Sequence, residues 1–185
     1  MATIFASNPI TNGHSWTITS KLRHILRTAE SKYGERDKTY TILGIELTTN
    51  GEPGIWYPGD CKNLVIQITS NCENDLNRAA FQVAHEAIHC LCPTGGCNAN
   101  FLEEGLATHF SIEYTRDYGH GNWTPSVPKY SEALQFVQHL LSIDSNIIKT
   151  LRQIEPTLSL ITRELLIATN QSIPPDLADN LTRKF

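Results

Sequence analysis

The stretch from Asn74 to Tyr114 limits the folding options of this 185-residue chain more than any other. Inside it, His85-Glu86-Ala87-Ile88-His89 sets two imidazoles four residues apart with a carboxylate between them. On a helix, residues four apart share a face, so both rings can turn toward one cation with Glu86 beside them. The flanking residues predict that helix. Ala79, Ala80, Val83, Ala84, Ala87, Ile88 and Leu91 recur at three- and four-residue intervals, the pattern of a helix with one buried face. Asn74 or Asp75 is placed to cap its start and Pro93 to stop it, so the helix is expected over Asn74 to Leu91.

Two histidines do not complete a hydrolytic metal site, which needs three protein ligands and an open position. After the loop from Cys92 to Asn100, the run Phe101-Leu102-Glu103-Glu104-Gly105-Leu106-Ala107-Thr108 reads as the start of a second helix, capped by Asn98 or Asn100 and extending to about Tyr114. A carboxylate at its start can close the triad. Neighbouring helix positions point about 100° apart, so only one of Glu103 and Glu104 can face the metal. His109 is a more distant third candidate.

In this combination the chain resembles the gluzincin metallopeptidases, whose H-E-x-x-H helix is followed by a second helix with a glutamate in the pattern E-G-x-A. Glu104-Gly105-Leu106-Ala107 matches that pattern here. The resemblance covers only these two helices and the loop between them. It implies a zincin-like fold, a Zn2+ ion held by His85, His89 and Glu104, and Glu86 as general base in peptide-bond hydrolysis. It favours Glu104 over Glu103, leaving Glu103 as a solvated or substrate-amine-binding carboxylate. Thr108 and Glu113 are further candidates for orienting the ligands. The connection from His89 to Glu104 is shorter than in the larger aminopeptidase-like members. Metal-dependent repressor-cleaving proteases, which also pair H-E-x-x-H with a downstream E-x-x-A, are similar as well.

Elsewhere the pattern predicts an α+β fold. A first helix is expected over Ser15 to Tyr33, where Trp16, Ile18, Leu22, Ile25, Leu26 and Ala29 follow a helical period up to Gly34. Strands are expected over Thr39 to Thr49, ending in an Asn50-Gly51 turn, over Ile55 to Tyr57, and over Leu64 to Thr69. They make a small, mostly antiparallel sheet, with Gly54 to Gly59 a candidate edge strand; the gluzincin resemblance implies that such an edge holds an extended peptide by backbone pairing. Thr115 to Lys129 reads as a loop anchored by its aromatics, with Tyr118, His120 and Trp123, and Tyr130 beyond, alternatively supplying a substrate wall or an oxyanion donor. Helices follow over Ser131 to Ile143, Ser145 to Glu155, Thr157 to Thr169 and Pro175 to Leu181. The chain is thus read as one domain over 1–185: sheet and metal helix in 1–114, and a C-terminal helical lobe in 115–185 that completes the cleft or offers a partner-binding face.

Composition narrows the function classes. Net charge is −4 and no basic run occurs, which argues against a nucleic-acid partner. No apolar stretch reaches membrane-spanning length, and the first residues lack a basic region followed by an apolar core, so a cytoplasmic location is the expectation. Five cysteines cannot all pair internally, which fits a reducing compartment. Cys90, Cys92 and Cys97 suggest either a separate metal knot or a Cys92 to Cys97 disulfide. The expected partner is a peptide or protein substrate cut internally. The alternative is a non-catalytic, metal-stabilised scaffold.

Overall fold

Leu64, Val65, Ile66 and Ile68 are all buried, so the strand that carries them has apolar contacts on both faces and sits in the middle of a sheet. The computed structural model describes residues 3–48, 51–59, 62–95 and 98–185. Among them an α+β fold is formed, with seven α-helices, a two-stranded sheet and a three-stranded sheet. In the small sheet β1 (Pro9–Ile10) pairs antiparallel with β2 (Gly13–His14). In the larger one the order is β3 (Thr41–Thr48), β5 (Asn63–Thr69), β4 (Gly54–Trp56).

The sheet corrects one expectation. Its longest pairing, β3 with β5, runs parallel from Thr41 opposite Asn63 to Thr48 opposite Thr69. Only the short β4 pairs antiparallel with β5. The larger sheet is therefore mixed rather than mostly antiparallel. The chain between β3 and β5 must return to the starting end of the sheet before β5 begins, and β4 lies on the far side of β5 as an edge. That edge falls within the Gly54 to Gly59 segment singled out from its glycines and proline. The Asn50-Gly51 turn involves Asn50, which lies outside the described residues.

Helix α1 (Ile18–Tyr33) starts at a reciprocal cap between Thr17 and Ser20 and buries Ile18, Leu22, Ile25, Ala29 and Tyr33 along one stripe. Helix α2 (Leu76–His89) is capped by Asp75, whose side chain accepts from the amides of Asn77 and Arg78. Helix α3 (Phe101–Asp117) is capped by Asn100 through the Glu103 amide and is buried on nearly every side, so it forms the axis of the helical layer. It packs between α2 and α4 (Pro128–Ile143). Gly105 makes the second contact possible: a Cβ there would run into the Ala133 carbonyl oxygen and lie 2.7 Å from Val137 Cγ2. The glycine of the E-G-x-A pattern thus has a packing reason to be present.

Beyond α4 come α5 (Ile147–Ile154), α6 (Arg163–Thr169) and α7 (Pro175–Thr182). The single helix expected over Thr157 to Thr169 is instead a short 3-10 turn, Leu158–Leu160, followed by α6. Ile161 and Thr162 between them are extended, and the Thr162 hydroxyl accepts from the Leu165 amide to cap α6. One hydrophobic core runs from Ile4 to Leu181 and joins the sheet, the α2–α3 pair and the later helices. Among the described residues no helix is long and apolar enough to cross a membrane.

Candidate metal centre

One helical turn separates His85 from His89, and their rings stand 5.3 Å apart between centroids on the same side of α2. The first turn of α3 faces them. Glu104 Oε2 is 3.2 Å from His85 Nε2, and Glu104 Oε1 is 3.7 Å from His89 Nε2. Donor atoms of these three residues all lie within 4.8 Å of one another, and among the described residues no other grouping of His, Cys, Asp or Glu does this. Four ligands about 2.1 Å from a tetrahedral zinc stand about 3.4 Å from each other, so the spacings here bracket what such an ion requires.

Glu103 is close by but acts differently from the expectation. Its Oε1 lies 2.8 Å from His89 Nδ1, the ring nitrogen opposite the one that faces Glu104. The residue is 9% exposed, so little of the carboxylate meets solvent. It holds the His89 ring by Nδ1 and leaves Nε2 facing Glu104, the arrangement in which a carboxylate can orient a metal-binding histidine. The Asn100 cap makes this possible. By accepting from the Glu103 amide at 2.9 Å it fixes the start of α3, and with α3 packed against α2 the adjacent glutamates address opposite sides of one imidazole.

The electrostatics follow from crowding carboxylates with little water. Burial pushes the Glu86 carboxyl pKa up, with Glu104 and Glu103 adding to the effect and the two imidazoles opposing it. For Glu104 burial also acts upward, but the His85 contact and the charges of both histidines outweigh it and hold the carboxyl below its ordinary range. Burial alone would lower the His89 pKa. The Glu103 contact and the charges of Glu104 and Glu86 reverse this and push it up to about 10. The Glu104 carboxylate thus faces Nε2 of both rings, a setting that a divalent cation can stabilise.

Glu86 is 5% exposed, and among the described residues its carboxylate makes no hydrogen bond. It opens on a cleft with two lobes, of about 490 and about 400 Å³, that meet at Glu52, Pro53, His85, Glu86 and Tyr130. Edge strand β4 contributes Gly54 and Ile55 to the larger lobe. Phe81 and Trp123, stacked at 5.0 Å, line the smaller one.

Of the aromatic candidates, Tyr130 reaches the centre: its ring lies 5.8 Å from that of His85, and burial together with the charges of Glu104, Glu52 and Glu86 drives its pKa upward. Trp123 is a lobe wall. Tyr118 and His120 lie away from it, Tyr118 against His24 and His120 hydrogen-bonded to Asn77. The more distant ligand candidate, His109, sits among Glu113, Lys32 and Arg116. Glu113 pairs with Lys32 at 2.7 Å and so does not orient a ligand. Thr108 lines the smaller lobe and donates to the Glu104 carbonyl at 2.8 Å, a backbone contact rather than one to a ligand side chain. Cys90 and Cys92 are free thiols, the latter 3.1 Å from the Thr157 hydroxyl; the metal knot and the Cys92 to Cys97 disulfide both involve Cys97, outside the described residues. Phe185, which no motif marks, lines the larger lobe.

Compared with protein-family models, with curated proteins and with solved structures, the chain matches none.

Proposed function

We propose that this protein is a zinc-dependent peptidase that cleaves within a peptide or protein chain. The observation that carries the reading is Glu86: a carboxylate only 5% exposed that opens on a cleft beside a His85–His89–Glu104 donor set. A buried ionisable group held this way is costly unless it serves chemistry or a cation. For a non-catalytic scaffold, a glutamine or an apolar residue at this position would be cheaper.

His85, His89 and Glu104 would hold the ion. Zinc, when bound, supplies Lewis acidity, which acidifies water and polarises a carbonyl group. Glu86 takes the proton of the attacking water and passes it to the leaving amine, and its upward-shifted pKa suits a group that must both accept and release a proton near neutrality. Tyr130 keeps its proton, since its pKa is driven upward, and offers its hydroxyl to the oxyanion that develops on the carbonyl. Edge strand β4 holds an extended substrate by backbone pairing. The cleft extends to both sides of Glu86, which suits internal cleavage. Glu103, the obvious group for holding a free amine, is already engaged by His89.

The test is Glu86→Gln. The variant should fold and keep its zinc while hydrolysis of a peptide library falls by about 10²–10⁴-fold, the usual contribution of a general base. Undiminished turnover in a zinc-loaded variant would remove this function from consideration.

A further inference from the structure

Phe185 lies far from the metal-facing residues in sequence, yet it lines the same lobe as His85, His89 and Glu104. The backbone puts it there. Asn100 and Lys184 form an antiparallel bridge, the Phe101 amide donates to the Arg183 carbonyl at 3.0 Å, and the Phe185 amide donates to the Ala99 carbonyl at 3.0 Å. The segment is therefore stitched to the residues that cap α3, the helix carrying Glu103 and Glu104. Its ring is held as well: the centroids of Tyr130 and Phe101 are 4.9 and 5.0 Å away, and Lys129 Nζ stands 4.3 Å from its own. Phe185 is only partly buried after all these contacts, and it lines the lobe.

The chemistry of the lobe is divided. Its lining includes Glu86, Glu103 and Glu104, while Ile55, Tyr57, Ala99, Tyr130 and Phe185 contribute an apolar and aromatic wall. An acidic substrate side chain would meet the carboxylates, and a small one would leave the aromatic wall wet. A large apolar side chain covers that wall and removes its apolar surface from water. With about 490 Å³ available, the lobe has room for such a side chain and the backbone that bears it. We infer that Phe185 is a specificity-determining wall of the subsite on the His89 side of the cleft, selecting a substrate residue with a large apolar side chain. The inference deepens the peptidase reading and rests on it.

Binding and turnover can be separated experimentally. The probe is a series of end-blocked peptides scanned one position at a time through Gly, Leu and Phe, with affinity for zinc-loaded Glu86→Gln protein read by fluorescence anisotropy. At one position Leu and Phe should bind about tenfold more tightly than Gly. Adding Phe185→Ala should shrink that ratio below about threefold, with Phe185→Leu in between, while zinc content stays at the level of the parent. Should Phe185→Ala fail to fold, Phe185→Leu against Phe185→Trp decides the question: Leu keeps part of the preference, whereas Trp shifts it from Phe towards Leu. An unchanged ratio in folded, zinc-loaded variants, no apolar preference in the parent, or equal tightening of every peptide, as from removal of a plug, would each overturn the inference. The same peptides tested for cleavage by the unsubstituted protein report on the peptidase reading. Selective binding without turnover would defeat that reading and leave the subsite standing, whereas turnover indifferent to Phe185 would do the reverse.

Discussion

Arg152 and Glu86 are both charged side chains with less than a tenth of their surface exposed, 7% and 5%, yet their surroundings differ in kind. The Arg152 guanidinium donates to five backbone carbonyls, those of Tyr33, Gly34, Glu35, Leu91 and Pro156, at 2.7 to 3.3 Å. It satisfies the carbonyls where α1 ends and ties them to the chain after α2 and to the loop after α5. All its donor nitrogens are engaged, so the group is a fastener. Around Glu86 the opposite holds: three more carboxylates or imidazoles point at a common space, and the charge they share is not balanced from within. A cavity of about 650 Å³ borders Arg152, larger than either lobe beside Glu86, so cavity size does not distinguish the two places. Unbalanced charge directed into a cleft does.

If that contrast is right, the two regions must respond to different perturbations. The largest effect on stability belongs to Arg152→Met, which strands several buried carbonyls. A loss of about 3–5 kcal/mol is expected in urea unfolding, with zinc affinity of the remaining folded protein unchanged. A loss under about 1 kcal/mol would show that water replaces the guanidinium and that the fastener is dispensable.

Gly105→Ala comes next, because it strikes the packing that carries Glu104. Overpacking against Ala133 and Val137 costs about 1–3 kcal/mol or somewhat more, and the better helix propensity of alanine returns only about 1 kcal/mol. A net loss of about 2 kcal/mol in thermal or urea unfolding is the expected result. A neutral substitution would mean that α4 can move away from α3 without consequence.

The third perturbation is pH. In the metal-free protein His89 has a pKa raised to about 10, so its contribution to stability is complete below the unfolded value near 6.5 and is lost as pH rises through about 10. Glu86, also shifted upward, acts in the same direction. The midpoint of thermal unfolding in chelator should therefore fall as pH rises from 7 to 10, and His89→Ala should flatten the decline. Zinc should reverse the trend, since its binding displaces the His89 proton and is favoured as pH rises. Arg152 contributes nothing in this window, because a guanidinium does not titrate there.

Much of this is legible in the residues. Asp75 and Asn100 are readable as caps because their side chains have one evident use before an apolar helical period, and the α2 and α3 boundaries follow within a few residues. The His85, His89 and Glu104 grouping also follows from helical spacing together with the E-G-x-A resemblance. The parallel pairing of β3 with β5 does not, since the run LVIQIT says that a strand is buried on both faces but not which way its neighbour points. Nor does the place of Glu103, which depends on how α3 is rotated against α2, a tertiary quantity that neither helix encodes alone. Phe185 is invisible for the same reason: its position comes from backbone pairing with residues 99–101, and such pairing leaves no trace in side-chain pattern.

The central claim is that Glu104 completes the cation site while Glu103 steadies His89 from behind. Zinc content and affinity of Glu104→Ala and Glu103→Ala, measured side by side by metal analysis and competition with a chromophoric chelator, address it most directly. Glu104→Ala should lose its zinc on gel filtration. Glu103→Ala should keep the ion with affinity lowered about 10–100-fold. Retention of tightly held zinc by Glu104→Ala, or its complete loss from a folded Glu103→Ala protein, would contradict this assignment.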